Sequence, residues 1–326
     1  MDVRRDTTTS YLYGLAALAV GIFVALSLAA PGYLSFNNLS SMGFQFPEFG
    51  LLALAILPAM IAGGIDLSVV AVANLSAVIC AVLLREGGVA ASVAIPVTIL
   101  TGLCCGAVNG LLISWLRLPA ILATLGTMQL FGGIAIVITG GPSLTGLPAW
   151  YAALGTWSVF GILPLPLVIF AGVALVLGLV LARTRLGLRG RLYGANATAA
   201  RFAGISETTT LVLTYAICGG IAALAGLVVL ARVSSANPDY GSSYLLLVIL
   251  INVLAGVDPN GGRGTVIGVV LAVLTLQLIS SGLNFMAFSA YSRDLFYGGL
   301  LVAVMLGRWM AGNLGLGPLF MRKKRI

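Results

Sequence analysis

Between Arg117 and Arg183 the chain runs 65 residues, Leu118 to Ala182, without a charged side chain. One membrane-crossing helix uses about 20 apolar residues, so this stretch holds more than one crossing. A second uncharged run covers Thr7 to Pro47. Hydrophobic residues make up 60% of the chain and charged residues 8%, against about 25% charged in a soluble domain. That composition leaves too little polar surface to cover a water-soluble core, so a soluble enzyme is excluded. The expected fold is all-α: one polytopic integral membrane domain over residues 1–326.

The missing residue types narrow the chemistry. There is no histidine, which removes Ser-His-Asp and Cys-His catalysis, histidine metal sites and ordinary haem ligation. Lys323 and Lys324 are the only lysines, so a phosphate-cradling G-x-x-x-x-G-K-[ST] loop is absent and ATP is not hydrolysed here by that route. No catalytic residues, metal or cofactor are expected. Cys80, Cys104, Cys105 and Cys218 lie in apolar stretches and form no C-x-x-C pair; they read as small packing residues.

Apolar runs and breaks divide the chain into ten segments. They fall at about 11–30, 46–62, 69–84, 90–115, 119–140, 165–182, 208–230, 244–256, 265–283 and 295–308. The eighth, about a dozen residues, is too short to cross unaided. The first is read as a span rather than a cleaved leader, because its apolar core is longer than the 7–15 residues or so of a leader. Ser143–Pro164, with Trp150, Tyr151 and Trp157, is read as an interfacial loop with a short surface helix, since Trp and Tyr favour the headgroup zone.

Charge sets the orientation. With ten segments and both termini in the cytoplasm, all Lys and Arg fall inside except Arg85, Arg232 and Arg293, a strong positive-inside bias. Each outer arginine has an acid nearby in sequence: Glu86, Asp239 and Asp294. The net charge of +8 is therefore spent on orientation and does not point to nucleic acid. Glu48 and Asp66 are placed near span ends, leaving no acid deep in the membrane of the kind proton-coupled carriers use.

Two glycine breaks echo each other. Gly63-Gly64-Ile65-Asp66-Leu67-Ser68 follows the second segment, and Gly261-Gly262-Arg263-Gly264 follows the eighth. Paired interruptions in two halves point to a transport pathway; two ordinary turns give the same pattern. Asp66 and Ser68 read as an N-cap for the third segment and equally as a broken helix end facing the pathway. Asn74, Asn109, Gln129, Asn252, Gln277 and Asn284 supply neutral hydrogen-bonding groups, either for a hydroxylated solute or as helix–helix glue.

Thr184–Glu207 is the one long polar segment inside the chain. It is basic and glycine-containing, and Asn196-Ala197-Thr198-Ala199-Ala200-Arg201-Phe202 has the makings of a short helix capped by Asn196 or Thr198. Orientation alone needs only charge; this segment reads as a docking element for a soluble partner.

These pieces resemble a known family, the permease subunits of bacterial ATP-binding-cassette sugar importers of the ribose, xylose, arabinose and galactose type, with the related importers of furanose-like signals. The matching stretches are Pro31–Leu39, Gly63–Val69, Ala123-Thr124-Leu125-Gly126-Thr127, Gly190–Asn196 with Ala199-Ala200-Arg201 and Gly204-Ile205, and Gly261–Gly264. Val70 stands where the family usually has glycine, and Ala255-Gly256-Val257-Asp258 partly replaces a glycine-rich lead-in; both bear on the substrate subgroup.

The resemblance implies a permease of the bacterial inner membrane. A cytoplasmic ATPase would dock on Thr184–Glu207, a periplasmic or lipid-anchored binding protein would deliver the solute, and a second permease chain, identical or not, would complete the pathway. It assigns coupling to Arg191, Asn196, Ala200, Arg201 and Gly204, and the pathway or gate to Gly63, Gly64, Asp66, Ser68, Gly262 and Arg263. The competing reading is an autonomous secondary carrier or facilitator for a small neutral solute.

Overall fold

The computed structural model describes residues 2–29, 32–85 and 88–313. Glu86 and the Arg322–Arg325 tail lie outside them. Thirteen helices follow one another among the described residues: α1 (Asp2–Ala29), α2 (Phe36–Ile61), α3 (Val69–Arg85), α4 (Ala91–Ser114), α5 (Ala120–Thr139), α6 (Ala149–Leu154), α7 (Leu165–Arg183), α8 (Arg185–Ala195), α9 (Ala197–Phe202), α10 (Glu207–Val233), α11 (Tyr244–Leu254), α12 (Val266–Phe285) and α13 (Ala290–Asn313). Two two-residue strands, β1 (Ser158–Val159) and β2 (Leu163–Pro164), form an antiparallel hairpin after α6.

Seven helices are long and apolar enough to cross a membrane; α3, α11 and the stretch Leu295–Gly307 of α13 are shorter apolar pieces. Each of these ten corresponds to one of the ten segments read from the sequence. Their boundaries follow local rules. Pro119 precedes α5, and Gly140, left-handed at φ 70°, ends it. Thr265 caps α12 by accepting the Gly268 N–H at 3.1 Å.

The start of α2 departs from expectation. Ser35 accepts the Asn38 N–H and opens the helix at Phe36, ten residues before the expected Phe46. Pro47 and Pro58 sit inside it. Prolines are tolerated in membrane helices where neighbouring elements re-satisfy the freed carbonyls. Glu48 is therefore mid-helix rather than near a span end.

The centre of the bundle is α2, α3 and α10. The α2 span window is 83% buried, whereas α1 and α7 are only 11% and 22% buried and present apolar side chains outward. The packing of α4 on α10 rests on small residues. Gly102, Gly106 and Gly110 repeat every fourth position, and a Cβ at Gly106 would lie 2.0 Å from the Tyr215 carbonyl oxygen. This is the close backbone approach that small residues give membrane helices.

The loop after α5 is more buried than expected. Trp150 and Trp157 are exposed, as an interfacial loop requires, but Tyr151 is buried and donates to the Leu227 carbonyl at 3.0 Å. Cys104 is exposed while the other three cysteines are buried.

Candidate functional site

Both glycine breaks meet at one point, and α8 is wedged against them. The first break closes α2: Gly63 is left-handed at φ 86°, and the Gly64 N–H reaches back to the Ala59 carbonyl at 3.0 Å, a left-handed helix stop that glycine adopts without steric cost. The second break follows α11, where the Asp258 carboxylate accepts the Asn260 N–H at 3.0 Å and tightens the turn. Gly262 then donates its N–H to the Ile61 carbonyl at 2.8 Å, tying the second break to the end of α2.

Gly194, in the last turn of α8, fills the angle between them. A Cβ there would lie 2.0 Å from the Ile61 carbonyl oxygen and 2.7 Å from the Gly262 nitrogen. A Cβ at Gly261 would lie 2.6 Å from the Gly194 carbonyl oxygen and 2.7 Å from the Gly63 Cα. Three segments far apart in sequence thus touch backbone to backbone with no side chain between them. Arg263 is exposed beside this contact, and its carbonyl accepts the Asp258 N–H at 3.1 Å.

The polar segment folds as a compact unit hung from this junction. Asn196 caps α9 by accepting the Ala199 N–H at 2.9 Å, as the sequence suggests. The Ile205 N–H returns to the Ala200 carbonyl at 3.0 Å across Gly204, which is left-handed at φ 76°. Ala200 is buried, whereas Phe202 is 90% exposed. Arg201 is held by Glu207 at 2.7 Å, and Tyr193 donates to the same carboxylate at 2.6 Å. Burial and the neighbouring Glu207 push the Tyr193 phenol up to about 12, so it stays a donor at neutral pH. Burial lowers the pKa of Arg191. The five residues assigned to coupling therefore lie on α8, α9 and their caps.

Asp66 anchors a buried polar chain. Its Oδ1 accepts the Ser68 N–H at 2.9 Å and the Ser68 hydroxyl at 2.6 Å. Ser68 Oγ accepts from Asn109 Nδ2 at 2.7 Å, and Asn109 Oδ1 accepts the Thr127 hydroxyl at 2.6 Å. Thr124 donates to the Ile65 carbonyl at 3.1 Å. All five polar residues are buried, so α4 and α5 hold the first break in place. Asp66 closes a tight turn on Ser68 just before α3, at the helix break that the glycines mark. Beside them a Cβ on Gly64 would lie 2.4 Å from the Tyr215 hydroxyl, which is buried without a hydrogen-bonded partner.

The far end of α10 carries a feature that the sequence reading missed. Arg232 pairs with Glu48 of α2, not with Asp239, its acidic neighbour in sequence. Glu48 is 2% exposed. Tyr240 accepts from Arg232 at 3.4 Å, and its ring meets that of Tyr244 edge-on. Next to them lies a narrow cleft lined by Asn74, Ser235, Asn237, Tyr240 and Tyr244. Asn74 donates to the Pro238 and Tyr240 carbonyls, and Asn252 donates to the Ala53 carbonyl at 3.0 Å; both act as glue.

Tyr193, Gly194, Glu207 and the Glu48–Arg232 pair complete the arrangement. Gly194 was visible as part of a matching motif, but no sequence signal linked it to the two breaks. Among the described residues, no group of His, Cys, Asp and Glu could hold a metal ion.

Comparison with known proteins shows the family. A family described as "Branched-chain amino acid transport system / permease component" matches residues 38–305. The autoinducer 2 import system permease protein LsrD of Yersinia pseudotuberculosis serotype O:3 (strain YPIII) is 33% identical over 300 residues, covering 90% of each chain. Its counterpart in Photorhabdus laumondii is 32% identical over 302 residues, covering 91% of this chain and 90% of its own. No solved structure matches. The relatives are transport permeases rather than enzymes, in line with the resemblance to ATP-binding-cassette sugar importers. The chain belongs to this family of transport-system permease components and is a multi-pass protein of the inner membrane.

Proposed function

We propose that this chain is the permease of an ATP-driven importer and that the junction of Gly63, Gly194 and Gly261 couples ATP hydrolysis to its gate. A cytoplasmic ATPase docks on α8 and α9, where Arg191, Asn196, Ala200, Arg201 and Gly204 shape the unit it grips. Displacement of α8 is passed through Gly194 to both breaks at once. A backbone-to-backbone contact transmits displacement because there is no side chain to change rotamer. Gly63, Gly64, Asp66, Ser68, Gly262 and Arg263 lie at or beside the gate that this displacement moves.

In this reading residues 1–326 form one transmembrane domain, all ten apolar segments are embedded, and both termini are cytoplasmic. The Glu48–Arg232 end then faces outward, towards a periplasmic or lipid-anchored binding protein. The solute is a monosaccharide or a related polyol or furanose, with autoinducer 2 as the first candidate because the relatives are named for its import. A second permease chain completes the pathway.

The observation that carries the proposal is the wedging of Gly194 between Ile61 and Gly262. The test is uptake of labelled autoinducer 2 and a panel of pentoses into proteoliposomes holding this chain. Uptake that requires ATP, the ATPase and the binding protein is expected. Uptake by this chain alone, indifferent to ATP, would overturn the proposal in favour of an autonomous carrier.

A further inference from the structure

One buried hydroxyl stands beside the first glycine break with nothing to bond. Tyr215 of α10 is 1% exposed, and its hydroxyl has no hydrogen-bonded partner. Buried tyrosines usually find one, because an unbonded hydroxyl gives up its contact with water for nothing in return.

The surroundings place this side chain between the polar unit and the break. Tyr215 packs with Ala59, Ala62, Leu211 and Cys218 in a small apolar cluster apart from the main core, and Tyr193 of α8 packs against the same cluster. On the other side lies Gly64. A Cβ there would stand 2.4 Å from the Tyr215 hydroxyl and 2.9 Å from the Ala120 Cβ. Gly63 is left-handed, but Gly64 is not. Backbone conformation therefore does not call for glycine at position 64. Space does, since the Tyr215 hydroxyl occupies the place of a side chain.

The polar neighbours of the hydroxyl are Asp66, Cys218 and Tyr193. A thiol is a weak acceptor, and Tyr193 already donates to Glu207 at 2.6 Å. Asp66 is the strongest acceptor of the three. The bonds it accepts from Ser68 both fall on Oδ1, so Oδ2 is the oxygen a new donor would meet.

On the reading of this chain as an importer permease, we propose that Tyr215 is a positioning residue of the gate. Its hydroxyl is unbonded in the arrangement described here and donates to the Asp66 carboxylate when the first break moves during transport. A bond made in only one of two arrangements shifts the balance between them. Gly64, having no side chain, lets the hydroxyl reach the break.

The test is Tyr215→Phe in proteoliposomes holding the full chain, its ATPase and the binding protein. Phenylalanine keeps the ring and removes only the hydroxyl. The thermal midpoint of the permease is expected to rise. The maximal rate of ATP-driven uptake of labelled autoinducer 2 is expected to fall about tenfold, the scale of one hydrogen bond to a charged group, with KM for the loaded binding protein unchanged. A side chain that only packs would not give higher stability with slower turnover. A fall in the thermal midpoint would mean that the hydroxyl is bonded in the resting arrangement. An unchanged rate would mean that it meets no partner during the cycle. Either result overturns the proposal. A second pair of variants carries Ala120→Gly to clear the other close contact. There Gly64→Ala is expected to abolish uptake, and adding Tyr215→Phe to restore part of it. Absence of any rescue would detach Gly64 from Tyr215 and count against the proposal. Uptake by the parent protein without ATP would overturn the importer reading, and the gate role with it. The thermal midpoint, measured without ATP, would still report whether the hydroxyl is bonded.

Discussion

The two ends of α10 are built from opposite materials. At its Glu207 end, α8, α2 and the turn after α11 meet as bare backbone, glycine against glycine, with 2.8 Å between the Gly262 nitrogen and the Ile61 oxygen. At its Arg232 end, α2 and α10 meet through a buried ion pair with tyrosines around it. There Glu48 Oε1 and Arg232 Nε are buried without hydrogen-bonded partners. The first contact is backbone on backbone, with no side chain between the three segments. The second holds polar groups with capacity left over, which is what an element with two alternative arrangements needs. The proposed function would use the first end to carry motion from the ATPase and the second as a polar contact that can change partners.

Substitutions separate the two ends by size of effect. Gly194→Val places a side chain where a carbonyl oxygen already stands at 2.0 Å. Overpacking against movable side chains costs about 1–3 kcal/mol; here the obstacle is backbone on both sides, which cannot move aside, so the penalty lies above that range and above that of the next substitution. Loss of ATP-dependent uptake is expected in the proteoliposome assay, with the protein still inserted or degraded. Uptake at the wild-type rate would show that the junction is loose.

Glu48→Ala comes next. It strands Arg232, which is partly buried, and breaking such a pair costs about 3–5 kcal/mol, discounted here because Arg232 retains some solvent access. A fall in the thermal midpoint is expected. The double replacement Glu48→Leu with Arg232→Met is expected to recover most of the stability but not uptake. Recovery of both would mean that the pair is only structural.

Smaller effects lie along the polar chain and on α9. Asn109→Ala removes the link between Ser68 and Thr127 at about 1 kcal/mol per hydrogen bond, read as faster amide exchange around the first break. Asn196→Ala removes the α9 cap at about 1 kcal/mol and is expected to weaken ATPase binding while leaving the thermal midpoint almost unchanged. Tyr193→Phe has the smallest effect. The phenol sits at about 12 against an ordinary 10.0, so the protonated donor is favoured by the fold. Its contribution is complete below pH 10 and lost as pH rises through about 12. The difference between Tyr193→Phe and wild type in binding of the ATPase should therefore be flat across neutral pH. A difference that changes near pH 7 would assign the contact elsewhere.

Helical segments were largely legible because each boundary carries its own local signal. Pro119 and Gly140 bracket α5, Ser206 caps α10 by accepting the Thr209 N–H, and Asn196 caps α9. The start of α2 was not legible, because Pro47 reads as a breaker and only the packed bundle makes it tolerable. That one misplaced boundary put Glu48 at a span end. The partner of Arg232 was hidden for a related reason: Asp239 is seven residues away in sequence, while Glu48 comes from another helix. The glycine breaks were visible as a pair, and so was Gly194 as part of a basic loop. Their meeting was not, because contact between positions 63, 194 and 261 is a property of the tertiary fold.

The most direct test of rigid coupling is a distance followed through the ATP cycle. Ala195 and Asn260 flank the junction and both are exposed, so each is accessible to a spin label. In the complex with its ATPase, one sharp 195–260 distance is expected, the same without nucleotide and with trapped ATP, while the distance from 195 to a label at Val93 at the other end of the bundle changes. A 195–260 distance that shifts or splits on ATP binding would show that the junction opens during transport, and it would contradict the claim that Gly194 carries the motion to both breaks.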